Sequence, residues 1–458
     1  MMNILALLQC IQPAISATNV KRLSRIVIAM IAMTGRVTML GLSRWSGKGG
    51  SYRTIQRFFN TIIPWEQVFK LFFEAHLNDT DGEYVLVGDE CVATKSGKET
   101  YGLDHFFSGL LSKVVKGIAI FTLAVVDVNE RRSYPLRVEQ VIRSETEKEA
   151  VKTKKKAKAK KGLSAPKKKA GRPKGSKNRD KTQVDLTPEL KRIQNMVQKQ
   201  LEMLQGIVTI RHLALDGHFG NNNALQMVLQ CGLHLISKLR CDSALYFRYD
   251  GPQKKKGPRR KYGQKVDYRN IPDKYLVEQS TDGDIETRIY QAEMLHREFA
   301  QPLIAEGIQS NVVIITKTNL KTGASANVNL FSSDLDLSWE KIIDYYSLRF
   351  QIEFNFRDAK QYWGLEDFMN TKEIPLTNAL NLSLFMVSVS QVLLREFQQT
   401  NPDSGILDLK AYFRAAKYFE ETIKMLPEKP KPILLDQIFT HVASLGRIHP
   451  VKVLISSP

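Results

Sequence analysis

Three carboxylates that are far apart in the sequence, Asp89, Asp216 and Glu353, have the residue types of a centre for divalent metal ions. Each aspartate follows a short apolar segment, YVLVG before Asp89 and TIRHLAL before Asp216, and both segments predict β-strands that end at the acid. Mg²⁺ and Mn²⁺ prefer oxygen ligands, and carboxylates from three elements can hold two such ions about 3.5–4 Å apart. One ion activates an attacking oxygen and the other stabilises a leaving oxygen, so the predicted chemistry is a metal-assisted displacement.

Other acids near these positions suit the same role less well. A single aspartate after a strand is more commonly a turn former than a ligand, so the interpretation depends on the three carboxylates acting together. Asp104 does not follow a predicted strand, and Glu90 would point to the opposite face from Asp89. Asp358 would lie away from the other charged residues of its helix. His218 can assist near the metal ions or have a structural role.

The third carboxylate lies in the segment Tyr345 to Trp363, YYSLRFQIEFNFRDAKQYW, which we interpret as one helix. The segment has no Pro or Gly, its apolar residues recur at helical spacing, and Asp344 fits a cap or first-turn acid. One stripe of this helix is apolar and is expected to pack on a core. Beside it lies a polar stripe made of Tyr346, Arg349, Glu353, Arg357 and Lys360. In this stripe Arg349 and Lys360 flank Glu353 within an arc of about 40°.

This polar stripe has two interpretations. Arg349 and Glu353 are four residues apart, so a solvent-exposed helix with a salt bridge accounts for them. One acid among three cations and a phenol, beside an aromatic packing face, also suits metal ions and phosphates. The spacing from Tyr346 to Lys360 is Tyr, two residues, Arg, three residues, Glu, six residues, Lys. It resembles the Tyr-Arg-Glu-Lys signature of cut-and-paste DDE transposases from bacterial insertion sequences.

The resemblance implies a ribonuclease H-like fold, two Mg²⁺ or Mn²⁺ ions held by the three catalytic carboxylates, and double-stranded DNA as the partner. It also implies hydrolysis at the transposon ends, a hairpin intermediate, attack of the freed 3′-hydroxyl on target DNA, and a homodimer in the synaptic complex. The side chains of this segment that are then expected to bind DNA are Tyr346, Arg349, Phe350, Arg357 and Lys360. Arg349 and Lys360 would hold end phosphates by charge, and Phe350 is a candidate stacking platform. Trp339 is a weaker stacking candidate.

The sequence departs from the expected family pattern in two places. The basic linker described below falls between the first two aspartates, inside the expected catalytic core. In addition, 137 residues separate Asp216 from Glu353, and only an inserted domain explains that distance.

The positive charge of the chain is concentrated in two segments. The net charge is +20, and Lys152 to Lys181 alone contains 15 Lys or Arg and one Asp. Lys254 to Lys265 contains seven more and no acid, so the remainder of the chain is nearly neutral. Such segments bind a polyanion through phosphate contacts and counterion release, although a solvated tail has the same composition. In the second segment we expect Lys254, Arg259 and Arg260 to contact DNA.

The first basic segment belongs to a linker, residues 144–185, which has almost no large apolar side chains and cannot support a core. Within it, Lys169 to Gly175 reads KAGRPKG and resembles an AT-hook, in which Gly-Arg-Pro lies along the A·T minor groove. Arg172 and Lys174 are then expected to bind DNA. Ala170 departs from hooks that carry another basic residue there, and a generic basic linker is the alternative.

The N-terminal region predicts a helix-turn-helix. The segment Val37 to Trp45, a glycine-rich turn, and the segment Tyr52 to Phe59 give its outline. Ser51 can cap the second helix. The side chains on the outer face of that helix, which can meet bases or phosphates, are Arg53, Gln56 and Arg57. A plain helical hairpin is the alternative.

The predicted fold class is α/β, with a ribonuclease H-like catalytic core interrupted by a β-rich insertion and flanked by helical N- and C-terminal regions. We predict a helical DNA-binding domain at 1–80, the first part of the core at 81–239 with the linker inside it, the insertion at 240–335, the second part of the core with the catalytic helix at 336–395, and a helical region at 396–458.

Composition argues against disulfide-stabilised, zinc-binding and membrane-spanning proteins. The four cysteines are scattered without a CxxC pair, so neither a disulfide framework nor a zinc site is predicted, and a cytoplasmic protein is expected. Ile26 to Met33 is too short to span a bilayer, and the polar residues within Ala379 to Leu394 favour a buried helix. Two other functions fit the same residues. One is a metal-dependent nuclease that cuts without joining, and the other is an inactive, transposase-derived architectural DNA-binding protein.

Overall fold

The structure is a computed structural model that describes residues 3–109, 111–145, 147–149, 183–257, 259–299, 310–428 and 430–449. The basic run Lys152 to Lys181, with the predicted AT-hook and its Arg172 and Lys174, lies outside the described residues. The described chain is a mixed α/β protein in which helices surround one large mixed sheet.

The N-terminal residues form helices, as predicted. They are α1 (Ile4–Leu7), a 3₁₀ turn (Leu8–Ile11), α2 (Ala17–Ala32), α3 (Met39–Trp45), α4 (Tyr52–Phe59) and α5 (Trp65–His76). Ser51 caps α4 by accepting the backbone N–H of Thr54. In α5 the indole N–H of Trp65 donates to Asn378 at 2.8 Å, which ties these helices to a buried helix from late in the chain.

In the described ranges twelve strands form the sheet. They are β1 (Tyr84–Thr94), β2 (Asp104–Ser108), β3 (Lys113–Asp127), β4 (Arg132–Gln140), β5 (His212–Ala214), β6 (His234–Leu239), β7 (Leu245–Arg248), β8 (Tyr262–Lys265), β9 (Leu276–Asp282), β10 (Ile285–His296), β11 (Ser310–Asn319) and β12 (Ser325–Ser332). Their order is β2-β3-β1-β5-β6-β12-β11-β10-β7-β8, with β4 beside β3 and β9 beside β10.

Parallel and antiparallel pairs occupy different parts of this sheet. β3 is antiparallel to β1 on one side and to β2 and β4 on the other. β1, β5 and β6 are parallel to one another. The crossover from β4 to β5 contains α6 (Pro188–Leu204), which Thr187 caps and Pro188 begins. The crossover from β5 to β6 contains α7 (Asn222–Gln230).

The strands from β7 to β12 extend the same sheet. β12 pairs antiparallel with β6, and β11 and β10 follow as antiparallel neighbours. The region predicted as a β-rich insertion is therefore hydrogen-bonded edge to edge with the strands that precede it. The proposed division of the chain into domains stays a prediction.

The late helices are α8 (Trp339–Leu348), α9 (Gln351–Gln361), α10 (Glu373–Gln398), α11 (Ile406–Met425) and α12 (Pro432–Ser444). The prediction of one helix from Tyr345 to Trp363 is wrong, because the chain turns at Arg349 and Phe350 between α8 and α9. The reason is packing: α8 contacts β6, β11 and β12, whereas α9 contacts β1 and β4. Asp344 is not a cap either, since Ser338 caps α8.

Helix α10 is the most deeply buried of these helices in the described chain, as expected for the apolar run from Ala379 to Leu394. By length and composition it is the one described helix apolar enough to cross a membrane, but most of it is covered by the protein itself. Aromatic side chains of α5 pack around Phe385 at its centre.

Candidate active site

Asp89 lies inside β1 and not at its end, so that part of the prediction is wrong. The strand continues to Thr94 because β3 pairs with it along its whole length, as far as Gly117. On the other side, however, β5 pairs with β1 only at Leu86 and Val87. Asp89 is therefore two residues past the last pair with β5, where the sheet opens on that side.

Asp216 lies just beyond β5, at the corresponding place. The strand is shorter than the predicted TIRHLAL segment and ends at Ala214, the partner of Val87 in β1. The carboxylate of Asp216 accepts the backbone N–H of His218 at 3.1 Å, and its carbonyl accepts the hydroxyl of Ser237 at 2.7 Å. Both bonds fix the turn that carries this acid.

Glu353 lies in the first turn of α9, directly after the break between the two helices. Its backbone N–H donates to the carbonyl of Phe350 at 3.0 Å, and that of Ile352 donates to Arg349 at 3.2 Å. These bonds span three residues and not four, so the chain is tightened here. The break changes the predicted arc of side chains, yet Arg349 remains beside Glu353.

Arg349 connects two of the three carboxylates. Its Nη1 is 3.0 Å from Oδ2 of Asp89, and its Nη2 is 3.5 Å from Oε1 of Glu353. Only 13% of its side chain is exposed. Its guanidinium carbon lies 5.8 Å from the centre of the Tyr346 ring. The sequence predicted the pair with Glu353 but gave no signal for the contact with Asp89, which joins residues 260 positions apart.

The electrostatics of Asp89 place all three acids in one field. The pKa of Asp89 is raised to about 6, mainly by burial, which the guanidinium of Arg349 opposes and the carboxylates of Asp216 and Glu353 reinforce. Burial raises the pKa of Tyr346, Arg349 opposes this rise, and Asp216 and Asp89 add to it. Interactions with Asp89 therefore connect side chains from three distant parts of the chain.

The residues fit divalent cations by their chemistry. In the described chain no three His, Cys, Asp or Glu side chains already lie close enough together to hold a metal ion. Arg349 binds Asp89 and Glu353 and supplies positive charge between them. The three carboxylates offer only oxygen ligands, which Mg²⁺ and Mn²⁺ prefer. Two of them already bind a positively charged group, the guanidinium of Arg349.

Lys360 and Arg357 have protein partners in the structure. The ammonium of Lys360 donates to the carbonyl of Val92 at 2.9 Å and lies 3.1 Å from Glu366. It therefore joins α9 to β1. Arg357 forms a surface ion pair with Asp358 at 3.0 Å.

The side chain of Phe350 is 48% exposed at the helix break, edge-on to Phe354 at 5.5 Å between ring centres. An exposed aromatic ring next to Arg349 is compatible with the predicted stacking role, which stays a prediction. Trp339 instead begins α8 and is partly buried against the core.

The other acids near the site interact with different residues. Glu90 lines the same pocket as Asp89 and Asp216, and burial and then the carboxylate of Glu189 raise its pKa. Asp104 begins β2 and pairs with Arg143 at 3.4 Å. His218 lines a pocket of about 490 Å³ that runs from the two aspartates of the site towards Arg143. His218 thus lies near the site, with no contact that assigns it a role.

The outer face of α4 is polar, as predicted. Arg53, Gln56 and Arg57 are exposed, while Ile55 and Phe58 are buried against the other N-terminal helices. The connection from α3 to α4 is longer than the short turn of a typical helix-turn-helix.

The second basic segment is a surface loop between β7 and β8. In it Lys254, Arg259 and Arg260 are exposed. Aromatic side chains that were not predicted lie beside these cations. Arg260 lies over the ring of Tyr249 at 4.4 Å. Arg297, which directly follows β10, lies over the ring of Tyr246 at 4.6 Å. Tyrosines interleaved with the basic residues were the available signal, since such rings can stack with bases.

Comparison with known proteins gives one family. The model of the DDE superfamily endonuclease family matches residues 7–298, which is more than half of the chain and includes both aspartates of the site. The match ends before Glu353. No curated protein matches the chain. Nucleases of this superfamily act on DNA and generally use divalent metal ions. The chain belongs to the DDE superfamily endonuclease family.

Proposed function

We propose that this protein is a cut-and-paste transposase of the Tyr-Arg-Glu-Lys branch, which cuts the ends of its element and joins them to target DNA. The observation that carries the proposal is that Arg349 pairs with both Asp89 and Glu353, while the charge of Asp216 acts on Asp89. The acids come from two adjacent parallel strands and from a helix on the sheet. The family match supports a DNA endonuclease, and the spacing from Tyr346 to Lys360 supports the branch.

A ribonuclease H-like core is part of this proposal. The strands β4, β3 and β1 are antiparallel neighbours, β1, β5 and β6 are parallel, and helices lie in the crossovers. This order supports the fold. The strands from β7 to β12 lie between β6 and the helix of Glu353, which accounts for the long separation of the second and third acids.

Asp89, Asp216 and Glu353 would hold the metal ions, Mg²⁺ or Mn²⁺, and two ions per site are proposed. When bound, such ions polarise a phosphodiester and stabilise charge on the attacking and leaving oxygens. The chain's own residues would bind and orient the DNA end. Arg349 offers a planar guanidinium to a phosphate and Phe350 an exposed ring to a base.

The remaining DNA contacts are proposed for three surfaces. The outer face of α4 would recognise the transposon end, and the loop between β7 and β8 would contact its backbone. The basic run Lys152 to Lys181, with Arg172 and Lys174, would add sequence-independent affinity through its charge. A homodimer in the synaptic complex and a cytoplasmic location complete the proposal.

The test uses the full chain and a plasmid that carries the coding DNA with its flanking sequence. Incubation with Mg²⁺ or Mn²⁺ is followed by separate measurement of nicked, hairpin and joined products. We expect metal-dependent cuts at both boundaries, hairpin ends and joining to a second DNA. Cutting without joining would favour the nuclease alternative, and binding without any metal-dependent cutting would favour the architectural one.

A further inference from the structure

We propose that Arg349 is an internal counter-ion, which occupies the charge position of the metal ions until they bind and is then released towards a DNA phosphate. This inference rests on the proposed function, because it concerns the same three carboxylates. It adds a relation that neither the family nor the sequence signature supplies: metal binding and the grip on the DNA end become linked through one side chain.

The contacts of Arg349 carry the first step. Two of its nitrogens bind Asp89 and Glu353, at 3.0 Å and 3.5 Å. Three carboxylates that share one field repel one another, and a guanidinium between two of them offsets this repulsion. Arg349 thus stabilises the arrangement of acids before any metal is present.

The second step is that the guanidinium and a metal ion exclude each other. A divalent cation bound to Asp89 and Glu353 would lie within a few ångströms of Arg349 in a largely buried place, where repulsion between like charges is strong. The Asp89 oxygen that accepts from Arg349 and the Glu353 oxygen that is paired with it would also be needed as ligands. Metal binding therefore favours a position of Arg349 outside the carboxylate cluster.

The third step concerns where the side chain can go. Arg349 lies at the break between α8 and α9, next to the exposed ring of Phe350. Its Nε is buried and has no hydrogen-bond partner among the described residues. A guanidinium that leaves the acids presents Nε and Nη2 as a fork, the arrangement that binds a phosphate through two parallel hydrogen bonds.

Metal and phosphate binding then promote each other. The metal frees the guanidinium that the phosphate needs, and a phosphate that binds the guanidinium frees the carboxylates that the metal needs. Such coupling is reciprocal by thermodynamic necessity. In the absence of DNA the same arrangement weakens metal binding, because Arg349 competes for the carboxylates, and this effect can be measured without any reaction.

The test is the affinity of the full chain for Mn²⁺ alone, from the loss of the free-ion electron paramagnetic resonance signal. We expect Arg349→Ala to bind Mn²⁺ about fivefold tighter or more than the unaltered chain, the lower end of typical coupling between sites. Arg357→Ala is the matched control, since it removes the same charge from α9 at a surface ion pair, and its affinity should change by less than about twofold. Arg349→Lys, which keeps a charge but not the fork, should be intermediate.

A second test uses the unaltered chain, so its result does not depend on whether the Arg349→Ala variant folds. Phenylglyoxal modifies free guanidinium groups, and the labelling of Arg349 is followed by mass spectrometry of its peptide with and without Ca²⁺. Release of the side chain predicts faster labelling of Arg349 with Ca²⁺ and unchanged labelling of Arg357. Unchanged or slower labelling, or an Arg349→Ala chain that binds Mn²⁺ no tighter, would overturn the inference.

Asp89→Asn separates this failure from failure of the proposed function. If Mn²⁺ binding depends on Asp89 but not on Arg349, the metal site stands and the counter-ion role is wrong. If Mn²⁺ binding is absent, or is the same in Asp89→Asn, the proposed metal site and this inference both fall.

Discussion

Asp89 and Asp216 occupy equivalent positions on adjacent parallel strands. Each lies two residues beyond the last pair between these strands, Val87 and Ala214. Because β5 stops there and β1 continues on its pairing with β3, the two acids meet where the sheet has one open side. The register of two strands therefore fixes the spacing of two catalytic candidates, and a helix needs to supply only the third.

Replacing any of the three acids with its amide should abolish cleavage. Asp89→Asn, Asp216→Asn and Glu353→Gln each remove a proposed metal ligand while keeping the shape of the side chain. DNA binding should stay near that of the unaltered chain, because none of the three contacts a phosphate in the proposed mechanism. Cleavage assays with gel-shift controls measure both, and near-normal cleavage by one variant would exclude that residue from the site.

Removing the charge of Lys152 to Lys181 should weaken DNA binding and flatten its salt dependence. The run contains 15 cations, and each phosphate contact contributes to the slope of affinity against salt. A version of equal length with Ser and Gln in place of Lys and Arg separates charge from chain length. Thermal unfolding should not change, since the ends of the surrounding segment are held by the pair of Arg192 with Glu147 at 2.9 Å. A large fall in Tm would contradict this prediction.

Substitutions on the outer face of α4 should weaken DNA binding without changing the stability of the fold. Arg53→Ala and Arg57→Ala remove exposed charges from a helix whose buried face they do not touch. We expect weaker binding to the transposon end, by about 1–3 kcal/mol where a base contact is lost, with an unchanged Tm. Gel shifts against end and unrelated duplexes measure this. Equal loss on both duplexes would show phosphate contacts without sequence recognition.

Lys360→Ala should lower stability. The mutation removes a charged hydrogen bond to the carbonyl of Val92 and the pair with Glu366, so a loss of about 1–3 kcal/mol is expected. Arg357→Ala, on the same helix, removes a surface ion pair and a contact with the Phe354 ring at 4.7 Å, and should cost less. Denaturant unfolding of both variants gives the comparison. If Lys360→Ala is as stable as the unaltered chain but no longer binds the DNA end, the charge of Lys360 binds DNA, as the family signature predicts, and the stability prediction is wrong.

Lys410 should make stability depend on pH. Its ammonium donates to the carbonyl of Met30 at 2.7 Å and lies over the Trp363 ring, and burial lowers the pKa of Lys410 to about 7. In the unfolded chain the group keeps a pKa near 10.4, so between about pH 7 and pH 10 the unfolded chain binds more protons. Stability from this group therefore rises with pH across that window. Lys410→Met should flatten the rise, and identical pH profiles of Tm would contradict the assignment.

Periodicity and caps predicted the local elements well. The cap of Ser51, the helix that follows it and the strand before Asp89 depend on nearby residues, so short-range rules predict them. The extension of β1 past Asp89 depends on pairing with β3, and the break at Arg349 depends on two helices that pack on different strands. Neither cause lies within the segment concerned.

The same limit applies inside the site. Three acids with the right chemistry could be selected from the sequence because their types and strand context are local. The contact of Arg349 with Asp89 and the bond of Lys360 to Val92 join residues more than 250 positions apart, and a helical wheel places both cations equally. Only the packing of α9 on β1 distinguishes them.

The continuous sheet fixes the distance between the candidate acids and the basic loop. β5, which ends beside the two candidate catalytic aspartates, and β8, which borders the basic loop, are six strand steps apart in one hydrogen-bonded sheet. At about 4.8 Å per step this is roughly 30 Å along the sheet, or on the order of nine base pairs of duplex. If a DNA end contacts both places, the pairing of the strands sets the distance between the two contacts. In the proposed mechanism, an additional strand between them would move the point of cutting along the DNA.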